Sequence, residues 1–496
     1  MDALAQSVAP QTFTLNRWDL ASSYTNIPYI YFFKNNGAAD GASFMPAEAM
    51  RASFIKAVKE FPILLGHLVV AKDGSAYVHT DPCHLNMPAY RESSSSVHYS
   101  DIEGARFSWD SLPKGVATTS GLTAGEPGGA IRFANAHVVR LRGDSGLVLF
   151  MSLSHYVVDG VGYCAFVNRW AEICRWMCAG APPGRLPCRA YSFDRATFAH
   201  CLPGGSAGLS RDMRQIYASP NWAGRALAWM SPAMRAATLA TVSGLVGTTG
   251  HIFHITHASI ASLRESVLAH LDSGSRVSDN DIITALVSHT VATAMEGDDN
   301  ASPFLRLLFS AARTVARMIA GMRDEFAIFM VLDIRSRVRA LTRAQGAYTG
   351  NCVTCLPIVR PMGQFVAPAT ATSALAATCA SVRAAVDKFD GPTVGALAAA
   401  LDADTASFAH ATVNGMRYPR KVVLSNQSRF TLYECDFGAG GPAWVSPLPK
   451  FYANFVSILP ARPWADGYDI YMVLETDVMK RVVRSGLWTL HAKLVY

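Results

Sequence analysis

The stretch Leu147–Leu153, LVLFMSL, is apolar at every position but Ser152. A strand without alternating polar positions has no face for solvent, so this one is expected to be central and covered on both sides, as in layered α/β folds. His155 follows it at once, then Asp159 and Gly160. Beyond these, Tyr163, Phe166, Val167, Trp170, Ile173 and Met177 repeat at helical spacing. They predict an amphipathic helix that the segment CAGAPPGRLP terminates. A histidine held at the end of a rigid strand is pre-positioned for general base catalysis. Asp159 can lock the turn through a salt link, and Gly160 permits a sharp entry into the helix. A bare His-x-x-x-Asp spacing recurs by chance, so at this point a histidine that merely neighbours an acid stays an open alternative.

With 496 residues the chain exceeds one ordinary core, and two domains are expected. Half of it is hydrophobic and 16% is charged, which suits a globular enzyme and excludes a disordered chain. The net charge of +7 comes from scattered Lys and Arg, with no basic run interleaved with aromatics, so nucleic acid is not an expected partner. The excess of positive charge is compatible with an anionic small molecule. The first residues, MDALAQSVAPQTFTLNRW, lack the basic and apolar regions of a signal peptide, and no run of 18 apolar residues suggests a membrane span. A cytoplasmic location is expected. The ten cysteines form no disulfide framework and read as small buried hydrophobes.

Along the chain, AEAMRASFIKAVKEF predicts a helix closed by Pro62, and GHLVVAKDGSAYVHT a hairpin turning at Asp73-Gly74. A second hairpin, AHVVRLRGDSGLVLFMSLSH, turns near Gly143-Asp144. Residues 180–250 are rich in Gly, Pro and Ala and read as a crossover with helices of its own. A second strand-and-helix region begins at HIFHITHASI, where Ser259 leads into a helix. It continues through a helix opened by Ser278, and through strands at FAIFMVLDIRSRV, NCVTCLPIV, KVVLSNQS and DIYMVLET. The expectation is an α/β protein with an N-terminal lobe over 1–195, a linker over 196–250 and a C-terminal lobe over 251–496.

Three patterns suggest chemistry that their context does not support. GGSAG at 204–208 has the spacing of a nucleophile elbow, but Pro203 precedes it where a buried strand is required. His251, His254 and His257 are three apart in a segment that reads as a strand, where odd spacing alternates faces and prevents a shared metal ion. Cys352 and Cys355 form a single Cys-x-x-Cys without a second pair. No metal site is expected.

HYVVDG, residues 155–160, resembles the His-x-x-x-Asp-Gly signature of the BAHD acyltransferases, which move acyl groups from coenzyme A thioesters to alcohols or amines. Their second signature is Asp-Phe-Gly-Trp-Gly. Here YECDFGAGGP places Asp436, Phe437, Gly438 and Gly440 at matching positions about 280 residues on, with Ala439 replacing the tryptophan. FPILLGHL lies ahead of both, and FDRATF, SDNDIITAL, DIRSRV and YTGNCV fall between them, all in the family's order. The opening LNRWDL is more similar to fungal members than to plant ones.

The resemblance implies two chloramphenicol-acetyltransferase-like lobes with mixed sheets flanked by helices, a crossover loop, and a channel between the lobes with His155 midway. It implies that Asp159 turns away from the substrate to an arginine. Arg335 is the first choice and Arg337 the next, on the argument that alternate strand residues share a face. Asp436, Gly438 and Gly440 would shape a structural loop. Neutral His155 would take the proton of an acceptor hydroxyl as it attacks the thioester of acyl-CoA, with no covalent intermediate and no permanently bound cofactor. The family's Thr-Ser-Trp, whose donors lie near the oxyanion, corresponds here to Ser425, Asn426 and Gln427, and Ser425 and Gln427 are the expected donors. For Ser425 a hydroxyl capping a strand end is the competing reading.

A monomer acting on acyl-CoA and a hydroxylated small molecule is thus expected. The residues 302–326, with Arg306, Arg313 and Arg317 on one helical face, could rest on a membrane surface, although packing on the lobe is the plainer expectation. Two alternatives remain open: a binding protein that kept the fold without catalysis, and an acyl-CoA thioesterase. A condensation domain of peptide synthesis shares the histidine signature, but normally carries a second histidine where this chain has Ser154.

Overall fold

A computed structural model describes residues 8–21, 25–37, 44–71, 75–117, 131–180, 186–195, 208–230, 234, 247–296, 325–338, 347–366, 372–404, 406–448 and 453–496. The predicted central strand is there. Strand β7 (Gly146–Ser154) is buried at all nine positions. It lies between β2 (Asn26–Lys34) and β6 (Ala134–Arg140), antiparallel to both. Each large apolar side chain so enclosed contributes about 1.5–3 kcal/mol. β5 (Ala89–Ser94) lies parallel to β6, and β14 (Trp444–Pro447) runs antiparallel to β2, giving the order β14-β2-β7-β6-β5. The hairpin between β6 and β7 turns at Gly143 and Asp144, whose φ angles of +64° and +50° match the predicted position.

The helix Gly160–Cys178 follows and packs its buried face against the helix Ala47–Glu60. Trp170 donates to the Met50 carbonyl at 3.0 Å. Arg169 makes two 2.7 Å bonds to the Glu60 carboxylate. A small sheet orders β1 (Gln11–Thr14), β4 (Ala76–Thr80) and β3 (His67–Val70) beside this core. Its β3–β4 pairing is the first predicted hairpin, and the tip of that turn, 72–74, lies outside the described residues.

The second large sheet is mixed and has seven strands. They are β9 (Thr248–Ile255), β10 (Glu325–Asp333), β12 (Val353–Pro361), β13 (Lys421–Asn426), β15 (Phe455–Pro460), β16 (Tyr468–Glu475) and β17 (Lys493–Leu494), in the order β12-β10-β13-β15-β16-β9-β17. The helix Asp279–Glu296 is buried almost all round. Ser278 opens it with a reciprocal cap, donating from its backbone to Asp281 while its hydroxyl accepts the Asp281 N–H. β8 (Tyr191–Ser192) pairs with β11 (Ala347–Tyr348) and ties the two halves of the chain together. The architecture is α/β with mixed sheets, as expected.

Several local expectations are corrected. Arg335–Arg337 form a 3-10 turn after β10 instead of continuing the strand, so the two arginines diverge. The helix after β9 begins at His257 and is capped by Thr256, whose hydroxyl accepts the Ser259 N–H; Ser259 lies inside it. Helices Arg211–Tyr217 and Trp222–Trp229 occur in the stretch read as a crossover, and Met213, Ile216 and Tyr217 pack into the core beside the second sheet. All of GGSAG but Gly208 lies outside the described residues, as does 302–324; Glu325 and Phe326 open β10. No helix among the described residues is long and apolar enough to cross a membrane.

β14 belongs to the last sixth of the chain yet forms an edge of the sheet built from the first third. Its Trp444 is buried and stacks on Phe107 at 5.1 Å. Trp444→Ala removes that stack and leaves a cavity, with an expected cost of about 3–5 kcal/mol. A thermal melt of the variant, compared with the parent, measures it; an unchanged midpoint would contradict a structural need for this strand.

Candidate active site at the seam between the sheets

The end of β7 delivers His155 to the seam between the two sheets. Its backbone N–H bonds to the Thr25 carbonyl at 3.0 Å, and its ring is half-buried. Asn351, from the loop before β12, meets the ring. Asn351 Nδ2 donates to the His155 carbonyl at 2.8 Å and to the Asp19 carboxylate at 2.9 Å. Both of those groups can only accept, which fixes the amide and leaves Asn351 Oδ1 facing His155 Nδ1 at 2.8 Å. Nδ1 must then carry the hydrogen, and the lone pair sits on Nε2. Burial pushes the His155 pKa below its usual 6.5, although Asp159 and the Asn351 bond act in the opposite direction.

Asp19 is fully buried and is itself held. It accepts from the backbone of Asn16 and Asn351 and from Arg195 Nε at 3.3 Å. Arg195 spends its other donors on the carbonyls of Val157 and Phe193. Asn351, Asp19 and Arg195 were not among the residues expected from sequence. Each lies in a stretch quoted above, YTGNCV, LNRWDL and FDRATF, but nothing in their spacing shows that three distant segments converge on one imidazole.

Asp159 does not touch the His155 ring by any hydrogen bond among the described residues. Its carboxylate is fully buried, caps the helix Gly160–Cys178 through Val161 and Gly162 N–H, and accepts from Cys352 N–H at 3.0 Å. Arg335 reaches it with two bonds of 2.8 and 3.0 Å and also binds the carbonyls of Tyr348 and Gly350. Arg337 instead turns to the Phe389 carbonyl. Gly160 serves a different purpose from the one expected. It lies in the first turn of the helix, and a Cβ there would come within 2.2 Å of the Phe430 ring, so close packing and not a special backbone angle demands glycine.

The second signature lies at the other end of the same helix, about 27 Å along at 1.5 Å per residue. Asp436 Oδ1 accepts the N–H groups of Gly438 and Gly440, whose φ angles of +109° and +91° only glycine adopts readily. Arg175, near the helix end, pairs with Asp436 at 3.3 Å. Phe437 packs edge-on against Trp170 at 4.9 Å. Asp436, Gly438 and Gly440 therefore build a loop remote from the imidazole.

Ser425 and Gln427 share one side of the end of β13, and Gln427 Nε2 donates to Ser425 Oγ at 3.2 Å. Tyr29, on β2, donates to Gln427 Oε1 at 2.7 Å. No hydrogen bond among the described residues joins Ser425 or Gln427 to His155. Asn426 points the other way, to Asn280 and to its own turn at Ser428. Asn426, and not Ser425, is therefore the capping residue there.

The remaining patterns lie elsewhere. His254 is bonded to Asp469 at 2.8 Å. Burial raises the Cys352 thiol and pushes that of Cys355 up to about 12. Two cavities of about 480 and 400 Å³ are both lined by Asp212 and Arg360, and His155 lines neither.

Comparison with known proteins gives the family of the chain. The family model described as Transferase family matches residues 4–191 and 311–486. Putrescine hydroxycinnamoyltransferase 1 of Oryza sativa subsp. japonica is 22% identical over 492 residues, covering 94% of this chain and 92% of its own. The isocyanide synthase-NRPS hybrid crmA of Aspergillus fumigatus is 25% identical over 205 residues, 40% of this chain and only 12% of that protein. Among solved structures, F. sporotrichioides TRI101 complexed with coenzyme A and T-2 has a TM-score of 0.68 at 15% identity, covering 98% of this chain and all of its own. Vinorine synthase has a TM-score of 0.56 at 15% identity, with 98% of each chain covered. At these identities the structures speak for the fold. Together with the family match over most of its length, they show that this chain belongs to the BAHD acyltransferase family.

Proposed function

We propose that the protein transfers an acyl group from acyl-CoA to a hydroxyl of a small-molecule acceptor, with His155 as the general base. The observation that carries this reading is the Asn351 amide on Nδ1 of His155, which leaves Nε2 as the basic atom of a ring whose pKa burial lowers. An alcohol is a weak nucleophile near pH 7. Nε2 takes its proton as the oxygen bonds to the thioester carbon, and the carbon–sulfur bond then breaks. The thiolate of coenzyme A leaves and recovers the proton from the imidazolium, so the histidine ends as it began. The carbonyl oxygen carries negative charge in between and needs preorganised donors, for which Ser425 and Gln427 are the candidates. Support for the donor comes from TRI101, solved with coenzyme A, and support for acyl transfer from the rice hydroxycinnamoyltransferase.

The test is product analysis by mass spectrometry. Acetyl-CoA and a hydroxycinnamoyl-CoA are offered with a panel of alcohols and amines, and then with water alone. Transfer requires an acylated acceptor. Free acid formed at the same rate without acceptor would show thioester hydrolysis, and no turnover or thioester binding would show a binding protein.

His155→Ala is expected to lower kcat by about two to four orders of magnitude with the melting temperature unchanged. Full rate in this variant would refute the assignment. In the parent, kcat/KM should rise with pH through an inflection below 6.5, because it follows a histidine whose pKa burial depresses. The same depression makes the unfolded chain bind more protons between the folded value and 6.5, so this group's contribution to stability is present above 6.5 and is lost as pH falls through that window. An inflection above 6.5 would contradict burial as the dominant influence. Asp159→Ala acts differently: it leaves the buried Arg335 unpaired and uncaps a helix, at an expected cost of about 3–5 kcal/mol in chemical denaturation.

A further inference from the structure

The bonds around Ser425 form a directed chain that starts on the opposite sheet. Tyr29 is 3% exposed, and its ring lies 5.2 Å from that of Tyr163. Burial raises its pKa, so the phenol keeps its hydrogen, and Gln427 Oε1 at 2.7 Å takes it. Gln427 is held from behind as well, its backbone N–H bonded to the Ile458 carbonyl at 2.8 Å. With Oε1 occupied by Tyr29, the amide presents Nε2 to Ser425 Oγ. The reverse assignment, with Nε2 donating to Tyr29, would leave the phenol hydrogen without a partner among the described residues. The serine oxygen is thus an acceptor towards Gln427, and its own hydrogen must point elsewhere. Among the described residues no acceptor takes it.

We propose that Tyr29 is a positioning residue for acyl transfer, which through Gln427 fixes the Ser425 hydroxyl as a hydrogen-bond donor to the thioester carbonyl oxygen. This rests on the acyl-transfer reading above and assigns a role to a tyrosine outside both signatures. It also gives Gln427 a function that an indole could not perform, since the amide both accepts from the phenol and donates to the serine whereas an indole N–H only donates. The chain spans the seam between the sheets, so the donor is set only when the two halves are docked.

Acetyl-CoA serves as the probe throughout, with turnover followed as release of free thiol in the presence of the best acceptor from the panel. Ser425→Ala should lower kcat about 100-fold, the usual order for loss of one oxyanion donor. Tyr29→Phe should lower it about 10-fold with KM for acetyl-CoA unchanged. The double variant Tyr29→Phe/Ser425→Ala should be no slower than Ser425→Ala alone, because Tyr29 acts only through the serine. Ser425→Thr should retain most of the rate. Infrared difference spectra of bound carbonyl-labelled acetyl-CoA add a readout independent of turnover: the carbonyl stretch should lie lower in the parent than in Tyr29→Phe or Ser425→Ala. Parent-like kcat and carbonyl frequency in Tyr29→Phe, or losses that multiply in the double variant, would overturn the proposal while leaving His155 in place. A parent protein that neither binds nor consumes acetyl-CoA or the hydroxycinnamoyl thioester would overturn the acyl-transfer reading itself.

Discussion

The buried carboxylate of Asp159 is the joint on which the site hangs. It takes two N–H groups from the first turn of the helix Gly160–Cys178, one from Cys352, and two from the Arg335 guanidinium. Those donors come from three separate parts of the chain, the helix that follows β7, the loop before β12 and the turn after β10. A fully buried carboxylate is tolerable only when its acceptor sites are filled, and here they are. Because Arg335 also binds the Tyr348 and Gly350 carbonyls, the same joint fixes the loop that carries Asn351 to His155. Asp159 therefore shapes the imidazole's surroundings without bonding to the ring. The partner of the ring is an amide, and the carboxylate behind that amide is Asp19.

An amide in this position differs in consequence from a carboxylate. A carboxylate bonded to Nδ1 would stabilise the imidazolium directly and raise its pKa. A neutral amide oxygen fixes the tautomer with a smaller electrostatic pull, so burial prevails and holds the ring's pKa below the usual 6.5. The arrangement suits a base that must pick up a proton and give it back within one turnover.

The parts of the structure set by local pattern could be read from the sequence: the enclosed strand β7, the helix after Gly160, both N-terminal hairpins and the Ser278 cap. The choice of Arg335 over Arg337 also agrees with the structure, although the reason given for it does not. That reasoning assumed a strand, whereas Asp333 caps a tight turn by accepting the Arg335 N–H and so separates the two arginines. Convergence was not legible. Asp19, Asn351 and Arg195 are ordinary polar residues in their own segments, and only folding brings them together. Tyr29 looks like any aromatic of a core strand; its partner Gln427 lies 398 positions away. Gly160 was noticed for the wrong property, because the ring it must make room for, Phe430, lies far along the chain.

The strand β14 has a consequence for how the molecule is made. The sheet it completes consists otherwise of residues that leave the ribosome early, ending with β7 at Ser154. The edge of β2 must then wait, unpaired, while about 290 further residues are added, roughly 15–60 s at ordinary elongation rates. Throughout that interval the nascent chain displays Tyr29–Phe32 backbone groups open to pairing with any passing strand. Efficient production should accordingly depend on slowing or shielding that exposure, and a host rich in chaperones at low growth temperature would be expected to give the best yield of soluble protein.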